Sequence, residues 1–148
     1  MKTLALAVLT LSITLSPVYA AEELSGEKLN WVMTSIHDET VECWAYFGLI
    51  ETFARISDGM DVADLYKPIA DAMSERTKII GEIINITDAA TITKFMFSLK
   101  THERTIDGNP ANFPSLIIKN KDHCNNSYED YESRIIFYTD QYEKKFKN

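Results

Sequence analysis

The stretch VECWAYFGLIETFA (residues 41–54) sets one cysteine among four aromatic side chains. Its apolar residues recur at steps of three and four, the spacing that places them on one face of an α-helix. We predict a helix over 38–57, with Asp38 near its start. Gly48 lies within it, and we expect another backbone to pack closely there. The predicted core face carries Cys43, Tyr46, Phe47, Ile50, Phe53, Ala54 and Ile56.

The same periodicity continues on both sides of this stretch. Five glycines and four prolines in 148 residues leave few breaks and favour long helices. We predict further helices at 24–36 (capped by Ser25), 61–86 (kinked or restarted at Pro68), 87–106, from Pro114 onward, and from a Ser127 cap onward. Segment 91–97 also fits a strand by composition, but no partner strand is visible. The predicted core faces are Leu29, Val32, Met33 and Ile36; Val62, Leu65, Ile69, Met73, Ile80 and Ile83; Ile92, Phe95, Met96, Leu99 and Ile106; and Tyr128, Tyr131, Ile135, Tyr138 and Tyr142. The expected fold class is all-α, a single compact bundle of five or six helices over residues 21–148.

The N-terminus has the features of a secretory signal peptide. Lys2 precedes an apolar run over 4–15, which is shorter than the roughly 20 residues of a membrane span. Small residues at 18–20 predict cleavage after Ala20, and residues 1–20 are assigned to the signal. The mature chain is then expected to be periplasmic or secreted, without stable membrane insertion. In a eukaryotic source, 85–87 and 125–127 would be glycosylation sequons.

The charge of the chain is acidic. Removing residues 1–20 removes one charge, Lys2, and leaves 14 basic and 22 acidic side chains, a net charge of −8. Nucleic acids and anionic lipid surfaces attract clusters of Lys and Arg. The only basic cluster is Lys144, Lys145 and Lys147, where cations complement a helix C-terminus. A nucleic-acid partner is therefore not expected.

Two cysteines occur in the chain, Cys43 and Cys124. In an exported protein an even cysteine count indicates a disulfide, here with 80 residues between the two positions. The chain-entropy model assigns about 4.5 kcal/mol to a loop of that length. The Cys-x-x-Cys spacing of redox enzymes and the Cys-x-x-Cys-His spacing of covalent haem are both absent. We predict that Cys43 and Cys124 form a structural bond.

The histidines His37, His102 and His123 do not form a metal-binding spacing. The triplet 37–39 is interpreted as a helix end followed by a cap, and His123 could pair with Cys124 as a ligand only if that thiol were free. One alternative places a b-type haem between Met33 and His102 within a bundle. No serine-nucleophile motif, phosphate loop or HExxH motif is present. The sequence assigns no catalytic, cofactor-binding or metal-binding residue and no cofactor, and it leaves enzymatic activity open.

The chain is rich in aromatic residues, which suit a core boundary or a recognition surface. The candidates for interaction are Trp31, Trp44, Tyr131 and Tyr138. We therefore expect a non-enzymatic binding or protein-interaction module of the cell envelope, with another envelope protein as partner. The alternative is a carrier of a small molecule, haem or metal, or an enzyme, with a site inside the bundle near His102 or Glu103.

Overall fold

The computed structural model describes residues 26–57 and 59–146 of the chain. These residues form five α-helices and one 3-10 turn, and none of them lies in a β-strand. The order is α1 (Gly26–Ile56), α2 (Met60–Ile83), α3 (Asp88–Ile106), the 3-10 turn (Pro110–Asn112), α4 (Phe113–Glu129) and α5 (Tyr131–Phe146). The all-α prediction is confirmed, and segment 91–97 is helical. The predicted signal peptide and the Ser25 cap lie outside the described residues.

Helix α1 is the centre of the bundle, because α2, α3, α4 and α5 all pack against it. The disulfide predicted between Cys43 and Cys124 is present and ties α1 to α4. Both cysteines are fully buried in the main core. That core also holds Tyr46, Phe47, Ile50, Ala70, Met73, Ile106, Phe113 and Leu116.

The prediction of separate helices at 24–36 and 38–57 is wrong, because α1 continues through the polar triplet 37–39. Each side chain of this triplet has partners on a neighbouring helix. His37 hydrogen-bonds Thr91 of α3, Asp38 pairs with Lys94 of α3, and Glu39 binds Arg134 of α5. Polar groups inside a packed helix are tolerated when their hydrogen bonds are satisfied in this way. Asp38 is therefore not a helix cap.

The boundary between α4 and α5 also differs from the prediction. Ser127 is buried within α4 and does not cap α5. The break falls at Asp130, whose carboxylate accepts a hydrogen bond from the Ser133 backbone N–H at 3.0 Å. Arg76 of α2 donates to the carbonyl oxygens of Ser127 and Tyr128, which satisfies the last carbonyls of α4. A contact distant in sequence thus fixes where α4 ends.

A second, smaller core joins the N-terminal half of α1 to α2 and α5. Val32, Ile36 and Ile80 are buried there. Half-buried side chains surround them, including Trp31, Met33, Tyr131, Ile135 and Tyr138. Helix α5 has no buried residue, so the tyrosine-rich seam predicted for it lies at the core boundary.

Several residues assigned to core faces are exposed. Ile56 is 78% exposed and Leu65 is 63% exposed, because no described helix packs outside α1 and α2 at those levels. The same holds for Leu29, Val62, Ile83, Ile92 and Met96. The expectation of a close backbone at Gly48 is also wrong, since no other described element comes within 4 Å of where a Cβ would stand. Helix α2 continues through Pro68 without a restart.

Candidate functional site

One surface depression is a groove between α1 and α3, which we call the α1–α3 groove. It consists of two adjoining depressions of about 450 Å³ and 170 Å³. Glu42, Phe97 and Ser98 line both depressions and mark their junction. The larger depression is also lined by Asp38, Val41, Thr93 and Lys94, and the smaller by Thr101 and His102.

One end of the groove is closed by polar contacts between the two helices. The Lys94 ammonium donates to the Asp38 carboxylate. Beneath this pair, the buried His37 ring contacts Asp38 Oδ1 through Nδ1 at 3.4 Å and Thr91 Oγ1 through Nε2 at 3.2 Å. Burial raises the pKa of Asp38, but the hydrogen bonds from His37 and Lys94 outweigh it and lower the pKa overall. Asp38 is therefore ionised at neutral pH, and its charge is matched by Lys94.

The order Asp38–His37–Thr91 has the connectivity of an orienting acid, a base and a nucleophile. Its geometry does not make it an active site, because Thr91 is only 8% exposed and His37 is fully buried. A substrate carbonyl has no access to the threonine oxygen. These contacts join α1 to α3 and satisfy a buried histidine.

The other end of the groove is formed by His102. Its Nε2 lies 3.2 Å from the Glu42 backbone oxygen and its ring packs edge-on against Tyr46. Burial lowers the pKa of His102, and the hydrogen bond to Glu42 only partly offsets this effect. His102 is neutral at physiological pH, so it adds no charge to the groove.

The junction of the groove carries an acidic and an aromatic side chain together. Phe97 is 70% exposed, more than any other phenylalanine among the described residues. Glu42 is half-buried, and its carboxylate forms no ion pair with any described residue. Val41 forms a buried apolar part of the floor. The junction therefore offers an apolar surface with one uncompensated negative charge.

The interaction candidates from the sequence lie elsewhere. Trp31 packs against Tyr138 with ring centroids 6.3 Å apart, where α1 meets α5. The ring centroids of Trp44 and Phe95 are 4.0 Å apart, where α1 meets α3. Tyr131 lines a second depression, of about 480 Å³, with Ile79, Ile83 and other residues of α2. The structure thus brings Trp31, Tyr131 and Tyr138 to the smaller core, with Trp31 and Tyr138 in ring contact, while Trp44 packs on the main core.

Tyr138 has a buried polar partner. Its hydroxyl donates to Glu39 Oε2 at 2.7 Å, and Arg134 Nε donates to Glu39 Oε1 at 2.8 Å. Burial raises the pKa of Glu39, but the hydrogen bonds from Arg134 and Tyr138 hold it below its usual value. This network attaches α5 to α1, and the Glu39 side chain is only 2% exposed, so its carboxylate does not face solvent.

A histidine lies beside the disulfide. Donor atoms of Cys43, His123 and Cys124 lie within 4.8 Å of one another. Metal ions bind the deprotonated thiolate, and both sulfurs here are joined in a disulfide. The His123–Cys124 ligand pair therefore lacks the free thiol that it requires.

The two residues of the haem alternative lie at different levels of the bundle. Met33 packs in the smaller core, whereas His102 contacts Glu42. Met33 and Glu42 are nine residues apart in α1, which is about 14 Å along the helix axis. The His102 Nε2 is also occupied by its hydrogen bond. Glu103, the other residue named for an internal site, is exposed.

The groove residues Glu42 and Phe97 were not among the sequence candidates. In the sequence, Glu42 falls on the polar side of its helix and Phe97 in a segment of ambiguous periodicity. The available signal was the run Phe95-Met96-Phe97, because three consecutive large apolar residues in a helix cannot all face one core. At least one of them must point outward.

Comparison of the chain with protein-family models, curated proteins and solved structures gives no significant match. Among the described residues, no helix has the length and apolar character needed to cross a bilayer. Functional inference therefore depends on the α1–α3 groove itself.

Proposed function

We propose that this protein is a non-enzymatic interaction module that binds a segment of another protein in the α1–α3 groove. The observation that carries the proposal is Phe97, 70% exposed at the wall of a depression of about 450 Å³. Ile92 and Met96 on the same helix are 49% and 45% exposed. Together with Phe97 they give α3 an apolar outer surface that no described helix covers.

Burial of this surface by a partner is energetically favourable. Fully burying one phenylalanine side chain contributes about 1.5 to 3 kcal/mol. Central aromatic residues that enter a partner's pocket, or receive its side chains, provide most of the energy of many interfaces. The two walls of the groove, α1 and α3, are joined by the contacts of His37, Asp38 and His102, so little conformational entropy is lost when the groove is occupied.

A small-molecule carrier is the competing function, because about 450 Å³ falls within the usual size range of ligand pockets. The exposure of Phe97, Ile92 and Met96 favours a protein partner. A small ligand in the groove would leave the outer side of α3 in water, whereas a protein segment would cover it.

Export to the cell envelope belongs to the same proposal. The apolar N-terminal run and the small residues before Ala21 support cleavage there. A fully buried disulfide also suits a chain that folds in an oxidising compartment. Intact mass measured on protein from the envelope fraction without reductant should give a chain beginning at Ala21 with its two sulfurs joined. A mass that retains residues 1–20 would contradict export by cleavage.

The partner is tested with a photo-crosslinking phenylalanine analogue in place of Phe97, in cells of the protein's own source. The matched control places the analogue at Ile118 of α4, which is 81% exposed and far from the groove in sequence. We expect one discrete protein adduct from position 97 and none from position 118. Equal adducts from both positions, or none from either, would contradict a protein partner at the groove.

A further inference from the structure

We infer that the α1–α3 groove recognises its partner segment through a cationic side chain seated between the Glu42 carboxylate and the Phe97 ring. This inference rests on the proposed function and specifies the chemistry of the partner. An arginine fits the position best, because a planar guanidinium can stack on an aromatic ring and donate two parallel hydrogen bonds to a carboxylate.

The charges around the groove leave Glu42 uncompensated. The neighbouring acid, Asp38, is paired with Lys94. His102 is buried and hydrogen-bonds the Glu42 backbone oxygen, and the Glu42 charge acts on its ring, but burial lowers the pKa of His102 overall, so the ring is neutral and does not compensate the carboxylate. Among the described residues no cation pairs with Glu42, and a charge held against an apolar floor gains more from a partner than one in open solvent.

Phe97 adds a second point of contact for the same cation. Glu42 and Phe97 line both depressions of the groove, so the two residues border one space. A cation over an exposed aromatic face is attracted by the ring as well as by the carboxylate. The net charge of −7 for the whole chain also draws a cationic segment towards the protein.

The length of the groove limits the segment that it holds. Thr93 and His102 mark its ends on α3, nine residues apart, which corresponds to about 14 Å along the helix. About four residues of extended chain cover this distance. Val41 and Phe97 line the larger depression together with Glu42. Apolar side chains of the partner segment next to its cation would therefore lie over Val41 and beside Phe97.

Peptide display against the purified, oxidised protein tests the inference. Selections are made in parallel on wild type, Glu42→Gln, Phe97→Ala and Glu103→Gln, the last being a matched loss of an exposed carboxylate on α3 outside the groove. We expect wild type and Glu103→Gln to enrich peptides in which Arg or Lys is flanked by apolar residues. The Glu42→Gln variant should keep the apolar preference and show a weaker basic preference, because only the Phe97 ring then attracts the cation.

Affinities of one enriched peptide then give the size of the effect. Replacing its basic residue by norleucine should weaken binding to wild type about fivefold, the upper range for an exposed ion pair. The same replacement should weaken binding to Glu42→Gln by a smaller factor, because only the Phe97 ring still attracts the cation there. Added salt should weaken the binding of the basic peptide more for wild type than for Glu42→Gln.

The outcomes separate the inference from the proposed function. Apolar peptides that need Phe97 but show no basic preference would overturn the inference and leave the proposed function standing. Peptides that bind Phe97→Ala as tightly as wild type would overturn both, because they would bind outside the groove. Circular dichroism of each variant verifies that the helices are intact.

Discussion

Reduction of the Cys43–Cys124 disulfide should remove a large part of the stability of this protein. The two cysteines are 81 positions apart in sequence. A cross-link that closes a loop of this length lowers the entropy of the unfolded chain by about 15 cal/mol/K, or about 4.5 kcal/mol at 25 °C. Small domains have a total unfolding free energy of about 5 to 15 kcal/mol. The reduced chain should therefore be marginally stable.

Urea unfolding followed by far-ultraviolet circular dichroism measures this loss. With a slope of about 1 to 3 kcal/mol per molar urea, the unfolding midpoint should fall by roughly 1.5 to 4.5 M on reduction. Reduction leaves both thiols in the main core. The difference in unfolding free energy between the oxidised and the reduced protein therefore reports the cross-link and not a change in packing. The Cys43→Ala/Cys124→Ala double variant is the control, because reductant must not change its midpoint.

A loss smaller than about 1.5 kcal/mol would refute the loop-entropy reasoning. It would mean that the unfolded chain already keeps the ends of this loop close together, for example through residual contacts between α1 and α4.

Three further predictions concern side chains whose surroundings are well defined. Glu39→Gln should lower the unfolding free energy measured in urea by about 3 kcal/mol, because it leaves the Arg134 charge without its partner. The double variant Glu39→Met/Arg134→Leu should recover much of this loss. An unchanged unfolding free energy in Glu39→Gln would show that the pair is not desolvated. Gly48→Ala should raise the unfolding free energy by up to about 1 kcal/mol, since alanine favours helix and no described neighbour occupies the Cβ position. A lower unfolding free energy would show that the added methyl group meets a neighbour. Because the pKa of His102 is lowered in the fold, the unfolded chain takes up the proton first, and stability should fall as pH falls below its ordinary value of 6.5. His102→Gln should flatten that part of the profile of unfolding free energy against pH, and an unchanged slope would contradict the assignment.

Much of the fold follows from local patterns. The breaks after Ile56 and Ile106 fall at glycine-containing turns that the sequence marks, and Thr87 accepts a hydrogen bond from the Ala90 N–H at the start of α3, near the predicted position. The errors occur where local and distant contacts compete. The polar triplet 37–39 resembles a helix end until Thr91, Lys94 and Arg134 are placed beside it.

The candidate site is harder to predict from the sequence than the fold is. The sequence favours four aromatic residues as interaction sites, because aromatic side chains suit interfaces: Trp31, Trp44, Tyr131 and Tyr138. The structure places them half-buried at contacts between its own helices or at the second depression. Phe97 has the same chemistry and is exposed. Periodicity shows which helix face is apolar, but it does not show whether another helix covers that face.

The sequence by itself determined the all-α class, the long helices and the pairing of the two cysteines. These depend on the spacing of apolar residues, on the scarcity of glycine and proline and on a cysteine count that allows only one intramolecular pair. The tertiary structure alone decided that α1 is continuous, that Glu39 is matched by Arg134 and that Glu42 and Phe97 share an open groove. Each of these depends on residues about 55 to 95 positions apart, whose proximity is set by how whole helices pack and not by any local pattern.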